Sequence, residues 1–333
     1  MIKVGIIGYG YWGPNIVRNF NTLERAKVTY VCDANEKSIK RVKTVYPNIN
    51  TTTQCEDIIS SPDIDVVGVV TPVSSHYELA KRALENGKHV FVEKPFTSTV
   101  TQAEELIELA ERKNLIIMVD HTFLFTSAVQ KIKKLVDDNV LGKILYFDST
   151  RVNLGLFQHD VNVIWDLAPH DLSIMDYIIN EDPIALLAAG QSHFSSHEDI
   201  AYIIVYFSDN VIGHINVNWL SPMKIRLTLV GGSKKMVVWN DMVADEKIRI
   251  YDKGVEVRNQ EGIYDMLINY RSGDMWSPKL DSKEALGLEL EYFIECIEQG
   301  KEPFNNGHAG LRIVRMLEAC SKSLRNKGNA VGL

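Results

Sequence analysis

Three residues in this chain have the types and spacing of a proton-transfer apparatus: Lys94, Asp166 and His170. Lys94 stands in Glu93-Lys94-Pro95, directly after the apolar run 89–92, which reads as a strand. In a parallel sheet such a lysine projects from the carboxyl edge, where open α/β folds bind ligands. An ammonium partly removed from water beside another positive charge has a depressed pKa, and it can hold a hydroxyl or stabilise the alkoxide formed from it. Asp166 and His170 lie four residues apart in the apolar-periodic run 164–179, so on a helix they share one face about one turn apart. Imidazole titrates near neutrality, which suits it to take the proton of a secondary alcohol as hydride leaves, and to return it when a carbonyl is reduced. Asp166 would orient that ring or the substrate. Plainer readings exist for each: a surface lysine before a turn proline, a carboxylate favoured at a helix N-terminus, and a core histidine beside Pro169.

The elements that must position these groups begin with Gly8-Tyr9-Gly10-Tyr11-Trp12-Gly13, between the apolar run 2–7 and a helix opening at Pro14. In that context the first glycine permits a tight turn, the second lets backbone approach a diphosphate, and the third allows close helix-to-strand packing. The helix N-terminus then faces the anion. Asp33 follows a second strand, 28–32, about 20 residues past the last glycine, where a carboxylate accepts from an adenosine ribose. The pattern implies a dinucleotide, with candidate contacts at Gly8, Gly10, Tyr11, Trp12, Gly13 and Asp33. Thr71, Pro72 and His76 belong to the same edge after strand 66–70, as do Glu93 and Lys94 after 89–92. NAD fits better than NADP, because Asp33 repels a 2′-phosphate and Ala34 and Asn35 bring no positive charge; Arg41 on the next helix leaves NADP open. His76 equally suits a capping or core role. His121, after strand 116–119, has an analogous edge position and ranks below His170.

Strands 28–32, 66–70, 89–92 and 116–119 alternate with helices at 36–45, 75–86 and 100–113, which predicts a parallel sheet. From about 143, β-rich runs (144–152, 201–207, 211–218, 225–230, 236–239) joined by short turns predict a largely antiparallel sheet, interrupted by helix 164–179. Helical periodicity returns at 284–298 and 309–324. A length of 333 residues implies two domains. These are 1–122, an α/β NAD(P)-binding Rossmann domain, and 123–333, an α+β substrate-binding and oligomerisation domain with an open, mostly antiparallel sheet. The C-terminal helix is free to pack back on the first domain.

A net charge of -7 disfavours nucleic acid and anionic membranes as partners and leaves a small-molecule substrate. Cys32, Cys55, Cys296 and Cys320 are dispersed without a CxxC pair, which suggests reduced thiols. His159, His193, His197, His214 and His308 have no ligand spacing, so no metal is expected. The apolar start is too short for a signal peptide or membrane span, and a cytoplasmic location is expected. Apolar alternation at Ile203, Val205 and Phe207 predicts a sheet with helices on one face and another subunit on the other, in a homodimer or homotetramer.

Taken together, these residues resemble the Gfo/Idh/MocA oxidoreductase family along essentially the whole chain. The family's glycine turn matches Gly8, Gly10 and Gly13, its Glu-Lys-Pro signature matches Glu93, Lys94 and Pro95, and its Asp-x-x-x-His motif matches Asp166 and His170. The resemblance implies Lys94 and His170 as the catalytic pair, supported by Asp166, and hydride transfer between nicotinamide C4 and a carbon of a sugar or cyclitol. Residues 11–15 and 165–171 are similar to members acting on nucleotide-linked sugars. Some ketoreductases of that group have Tyr where His170 stands, so the histidine leans toward dehydrogenase chemistry. The implied function is NAD-dependent oxidation at C3 of a nucleotide-linked sugar, in polysaccharide biosynthesis. A free-sugar or inositol dehydrogenase, a sugar-nucleotide ketoreductase, an NAD-using glycosidase and a non-catalytic NAD(P)-binding regulator stay open. Arg151, Asn153, Tyr264 and Arg271 stand in segments able to close over the site, where an arginine would pair with a diphosphate or carboxylate.

Overall fold

The computed structural model describes residues 1–155, 157–257 and 268–333. In chain order the first elements are β1 (Ile2–Ile7), α1 (Gly13–Thr22), β2 (Ala26–Cys32), α2 (Glu36–Val45), β3 (Asn50–Thr52), α3 (Glu56–Ile59), β4 (Val66–Val69), α4 (His76–Glu85), β5 (His89–Glu93), α5 (Val100–Lys113) and β6 (Ile117–Asp120). There follow α6 (Ser127–Asp137), β7 (Ile144–Leu154), α7 (Val163–Ile178), β8 (Pro183–Gln191), β9 (Ile200–Phe207), β10 (Ile212–Asn218), β11 (Leu220–Gly232), β12 (Met236–Asn240), β13 (Ile248–Val257), β14 (Ile268–Trp276), α8 (Ala285–Gln299), α9 (Gly307–Arg325) and β15 (Val331–Gly332).

They form two units, Met1–Phe125 with Lys283–Arg315, and Thr126–Ser282 with Met316–Leu333. In the first, the short apolar runs make a six-stranded sheet of order β3-β2-β1-β4-β5-β6, every pair parallel. Strand order reverses between β1 and β4, and at such a switch point the carboxyl ends of the strands open a crevice. Both faces are covered. Val4 and Ile6 pack with Ile16, Phe20, Leu290 and Phe293 on one, and Val67, Val69 and Val92 pack with Ala80, Leu84 and Leu106 on the other. Phe91 joins the first face to α8: its ring meets Phe20 edge-on at 6.2 Å and Phe293 at 5.8 Å. These contacts put α8 in the first unit, whereas the sequence placed all of 123–333 in one domain. Burial of each such ring is worth about 1.5–3 kcal/mol, which a solvated helix would forgo.

The second unit is built on a nine-stranded sheet of order β14-β13-β12-β11-β7-β10-β9-β8-β15. β10 pairs with β7 in parallel, and the other pairs are antiparallel. One face carries Ile203, Val205, Ile215 and Val217, all buried. α7 lies close on it: a Cβ on Gly213 would come within 2.5 Å of Met175 Sδ. The other face leaves Tyr202, Tyr206 and Ile212 exposed, with Tyr202 stacked on His214 at 6.5 Å. Among the described residues no helix is long and apolar enough to cross a membrane.

Candidate active site

In the first unit the glycine turn leaves β1 at the switch point, and each glycine has a separate steric reason. Gly8 has φ +104, and a Cβ there would lie 2.0 Å from Val70 O. A Cβ on Gly13 would lie 2.6 Å from Gly8 O, so that glycine lets α1 close against the turn. At Gly10 nothing lies within 4 Å of the Cβ position, which leaves backbone that a diphosphate can approach. Pro14 occupies the first turn of α1, where its missing N–H is not needed. The residues therefore fit a dinucleotide at this turn.

Asp33, just past β2, is already engaged by main chain: Oδ2 accepts from Tyr9 N at 2.7 Å and Oδ1 from Asn35 N at 2.7 Å. These two bonds hold its carboxylate at the turn. Arg41 lies over the Tyr9 ring at 5.4 Å. Tyr11 is exposed, whereas Trp12 is tied down by its indole N–H, which donates to Asp120 Oδ2 at 3.1 Å. Past β4, Thr71 Oγ1 and Ser75 Oγ are 2.7 Å apart, and Ser75 Oγ donates to Pro72 O at 2.9 Å. His76 is buried, its ring nitrogens 2.8 Å from Pro95 O and 2.7 Å from Thr71 O. A neutral imidazole can donate to only one of two carbonyls. Burial holds this ring below its ordinary 6.5, with the Lys94 charge acting the same way. His76 thus lies between the Thr71 and Pro95 carbonyls and can donate to one of them, the capping or core role that its position equally suited.

β5 ends at Glu93, in register with Asp120 of β6, and Lys94 follows at the carboxyl edge. His121 next to Asp120 is buried, and neither ring nitrogen has a hydrogen-bond partner among the described residues. Burial pushes it down to about 3, helped by Lys94 and Arg312, so it stays neutral and cannot exchange protons near neutrality. Beneath it is a polar cluster that the sequence reading missed. Glu289 of α8 accepts from His121 N at 3.0 Å and from Asn305 Nδ2 at 2.9 Å, and Asn305 Nδ2 also reaches Val119 O at 2.9 Å. Thr122 donates to Asp120 through both its hydroxyl and its N–H. Burial, reinforced by the Asp120 charge, raises the Glu289 carboxyl well above 4.5; burial also raises Asp120, against hydrogen bonds that lower it. The available signal was Glu289 at a core position of α8, among Leu286, Leu290 and Phe293.

In the second unit, α7 opens with Asn162, whose Oδ1 accepts from Trp165 N at 3.1 Å. Asp166 sits in the first turn and His170, half-buried, one turn later. The Asp166 carboxylate is fixed by Trp219, whose indole N–H donates to Oδ2 at 3.1 Å. Beside His170, Asp171 points into the core and forms a buried two-pronged ion pair with Arg151 of β7, and Ser149 Oγ adds a donor at 2.6 Å. Arg151 therefore pins α7 to the sheet and is not a free anion clamp. Arg271 of β14 is likewise engaged, with Asp252 Oδ1 at 3.1 Å and Lys234 O. Tyr264 lies outside the described residues. Among the described residues no group of three or more His, Cys, Asp or Glu is arranged to hold a metal.

Comparison with known proteins identifies a family. Residues 2–121 match the family described as "Oxidoreductase family, NAD-binding Rossmann fold", and 129–237 match the "GFO/IDH/MocA C-terminal domain". An oxidoreductase of Escherichia coli K12, YdgJ, is 33% identical over 181 residues, and the match spans about half (51%) of each chain. UDP-N-acetylglucosamine 3-dehydrogenase of Acidithiobacillus ferrooxidans is 23% identical over 322 residues, 94% of each chain. Among solved structures, levoglucosan dehydrogenase in complex with NADH and L-sorbose has a TM-score of 0.84 at 18% identity, covering 100% of this chain and 98% of that one.

Proposed function

The chain belongs to the Gfo/Idh/MocA family and is an NAD-binding oxidoreductase; on that premise we propose that it oxidises the C3 hydroxyl of a nucleotide-linked sugar. The observation that carries this reading is the local setting of each motif. Lys94 follows a parallel strand at its carboxyl end, and Asp166 and His170 follow one another on α7 with Asp166 held by an indole N–H. Bound NAD supplies the two-electron acceptor for hydride from the carbinol carbon. His170 takes the hydroxyl proton as the C–H bond breaks and the carbonyl forms, and it returns that proton in reduction. Lys94 holds the same oxygen and offsets its developing negative charge. Asp166, fixed by Trp219, orients the substrate for this transfer.

The full-length likeness to a UDP-N-acetylglucosamine 3-dehydrogenase supports a nucleotide-linked substrate and C3 as the reacting carbon. A free sugar is the second reading, favoured by the shared fold with a dehydrogenase crystallised with L-sorbose. The outer sheet face with Tyr202, Tyr206 and Ile212 supports a homo-oligomer in which a second copy covers it. To test the substrate, the protein is incubated with NAD and a panel of UDP-sugars, free sugars and inositols while NADH absorbance is followed. Turnover confined to UDP-sugars is expected. Turnover of free sugars alone selects the second reading, and none with any of them contradicts both.

A further inference from the structure

Phe194 is 75% exposed in the segment between β8 and β9, yet that segment is firmly built. The buried carboxylate of Asp199 accepts from His193 N at 2.8 Å and Phe194 N at 3.3 Å, and its other oxygen lies 2.7 Å from His193 Nδ1. Glu198 ties the same segment to the start of α7. Its carbonyl accepts from Val163 N at 2.9 Å, and its carboxylate accepts from Asn162 Nδ2 at 2.8 Å. Phe157 meets the Phe194 ring edge to face at 5.9 Å and packs on Trp219 at 5.4 Å. Trp219 in turn donates to Asp166. An aromatic run thus leads from the Asp166 carboxylate to an open phenyl whose backbone is fixed to the helix that carries Asp166.

We propose that Phe194, braced edge to face by Phe157, offers a stacking shelf for the flat, non-reacting ring of the substrate, with the nucleobase of a nucleotide-linked sugar as its occupant. The proposal rests on the reading that Asp166 serves the reaction. Phenyl faces hold planar rings by stacking, whatever groups lie on the ring edges. The carboxylates of the Phe194 segment, Asp199 and Glu198, are spent on the segment's own backbone and on Asn162, so recognition falls to the ring face. The C–H face of a sugar or cyclitol offers the same chemistry from a second source, which affinity for a free polyol separates from a base.

The test titrates NAD-loaded wild type, Phe194→Ala and Phe194→Tyr with UDP, UDP-N-acetylglucosamine and myo-inositol by calorimetry. Binding of both uridine ligands is expected to weaken roughly tenfold to a hundredfold in Phe194→Ala and to recover in Phe194→Tyr, with myo-inositol unaffected. A loss confined to myo-inositol keeps the shelf and overturns the base as its occupant. Equal affinities in wild type and Phe194→Ala, or no binding of any probe by wild type, overturn the shelf. A change of oligomeric state in Phe194→Ala without a change of affinity does the same, by marking a contact between copies. NADH formation is read in the same samples. Turnover of UDP-N-acetylglucosamine with an unchanged KM in Phe194→Ala removes the shelf and leaves the reaction standing, whereas Phe194-dependent binding without NADH formation does the reverse.

Discussion

At Gly10 the requirement for NAD separates from the requirement for folding. A methyl group there meets no protein atom within 4 Å, whereas at Gly8 and Gly13 it would run into backbone oxygens. Gly10→Ala is therefore expected to keep the wild-type melting temperature, or to gain slightly from reduced unfolded-state entropy, and to lose NAD affinity at least about tenfold because backbone approach to the diphosphate is blocked. A thermal melt paired with NAD titration checks this; an unchanged NAD affinity would sink the assignment of Gly10. Residue-level electrostatics also sort the histidines. His76 and His121 are buried and burial lowers both, His121 to about 3, whereas His170 is half-buried.

Among the elements, α8 gives the sharpest stability prediction because it carries a carboxyl into a core. Glu289, raised well above its ordinary 4.5, binds its proton more tightly folded than unfolded. Its contribution is thus full at low pH and is lost as pH rises from 4.5 through the folded value. Glu289→Gln keeps the acceptor for His121 N and Asn305 and cannot ionise, so its melting temperature relative to wild type is expected to climb as pH rises above 4.5. A pH-independent difference would contradict the raised carboxyl. Periodicity made α2 and α5 legible to the residue, since their apolar faces repeat and Asn35 and Thr99 cap them. It missed β8, whose Ala-Leu run alternates weakly, and α6, whose Thr126 cap lies just past the boundary drawn between 122 and 123. The place of Lys94 at a strand end and of Asp166 and His170 one turn apart on a helix was legible because strand and helix grammar surrounds them. Arg151 was misread because only tertiary packing brings Asp171 to it, and Glu289 was missed because its partners come from distant stretches of chain.

On the scale of the whole molecule, the outer face of the nine-stranded sheet asks for a partner: Tyr202, Tyr206 and Ile212 stand exposed on neighbouring β9 and β10. Covering by a second copy predicts that Tyr206→Glu shifts the particle to monomer mass in light scattering, while a monomeric wild type would contradict that role. The proposed reaction gives Lys94 and His170 one role each, neither of which the other can fill. The most direct test of that claim measures NADH formation and NAD affinity together in Lys94→Met and His170→Ala with the substrate the wild type turns over. Each variant is predicted to lose roughly 100-fold or more in kcat while binding NAD almost as wild type does. Wild-type turnover in either variant, or a collapse of NAD affinity that accounts for the lost rate, would contradict it.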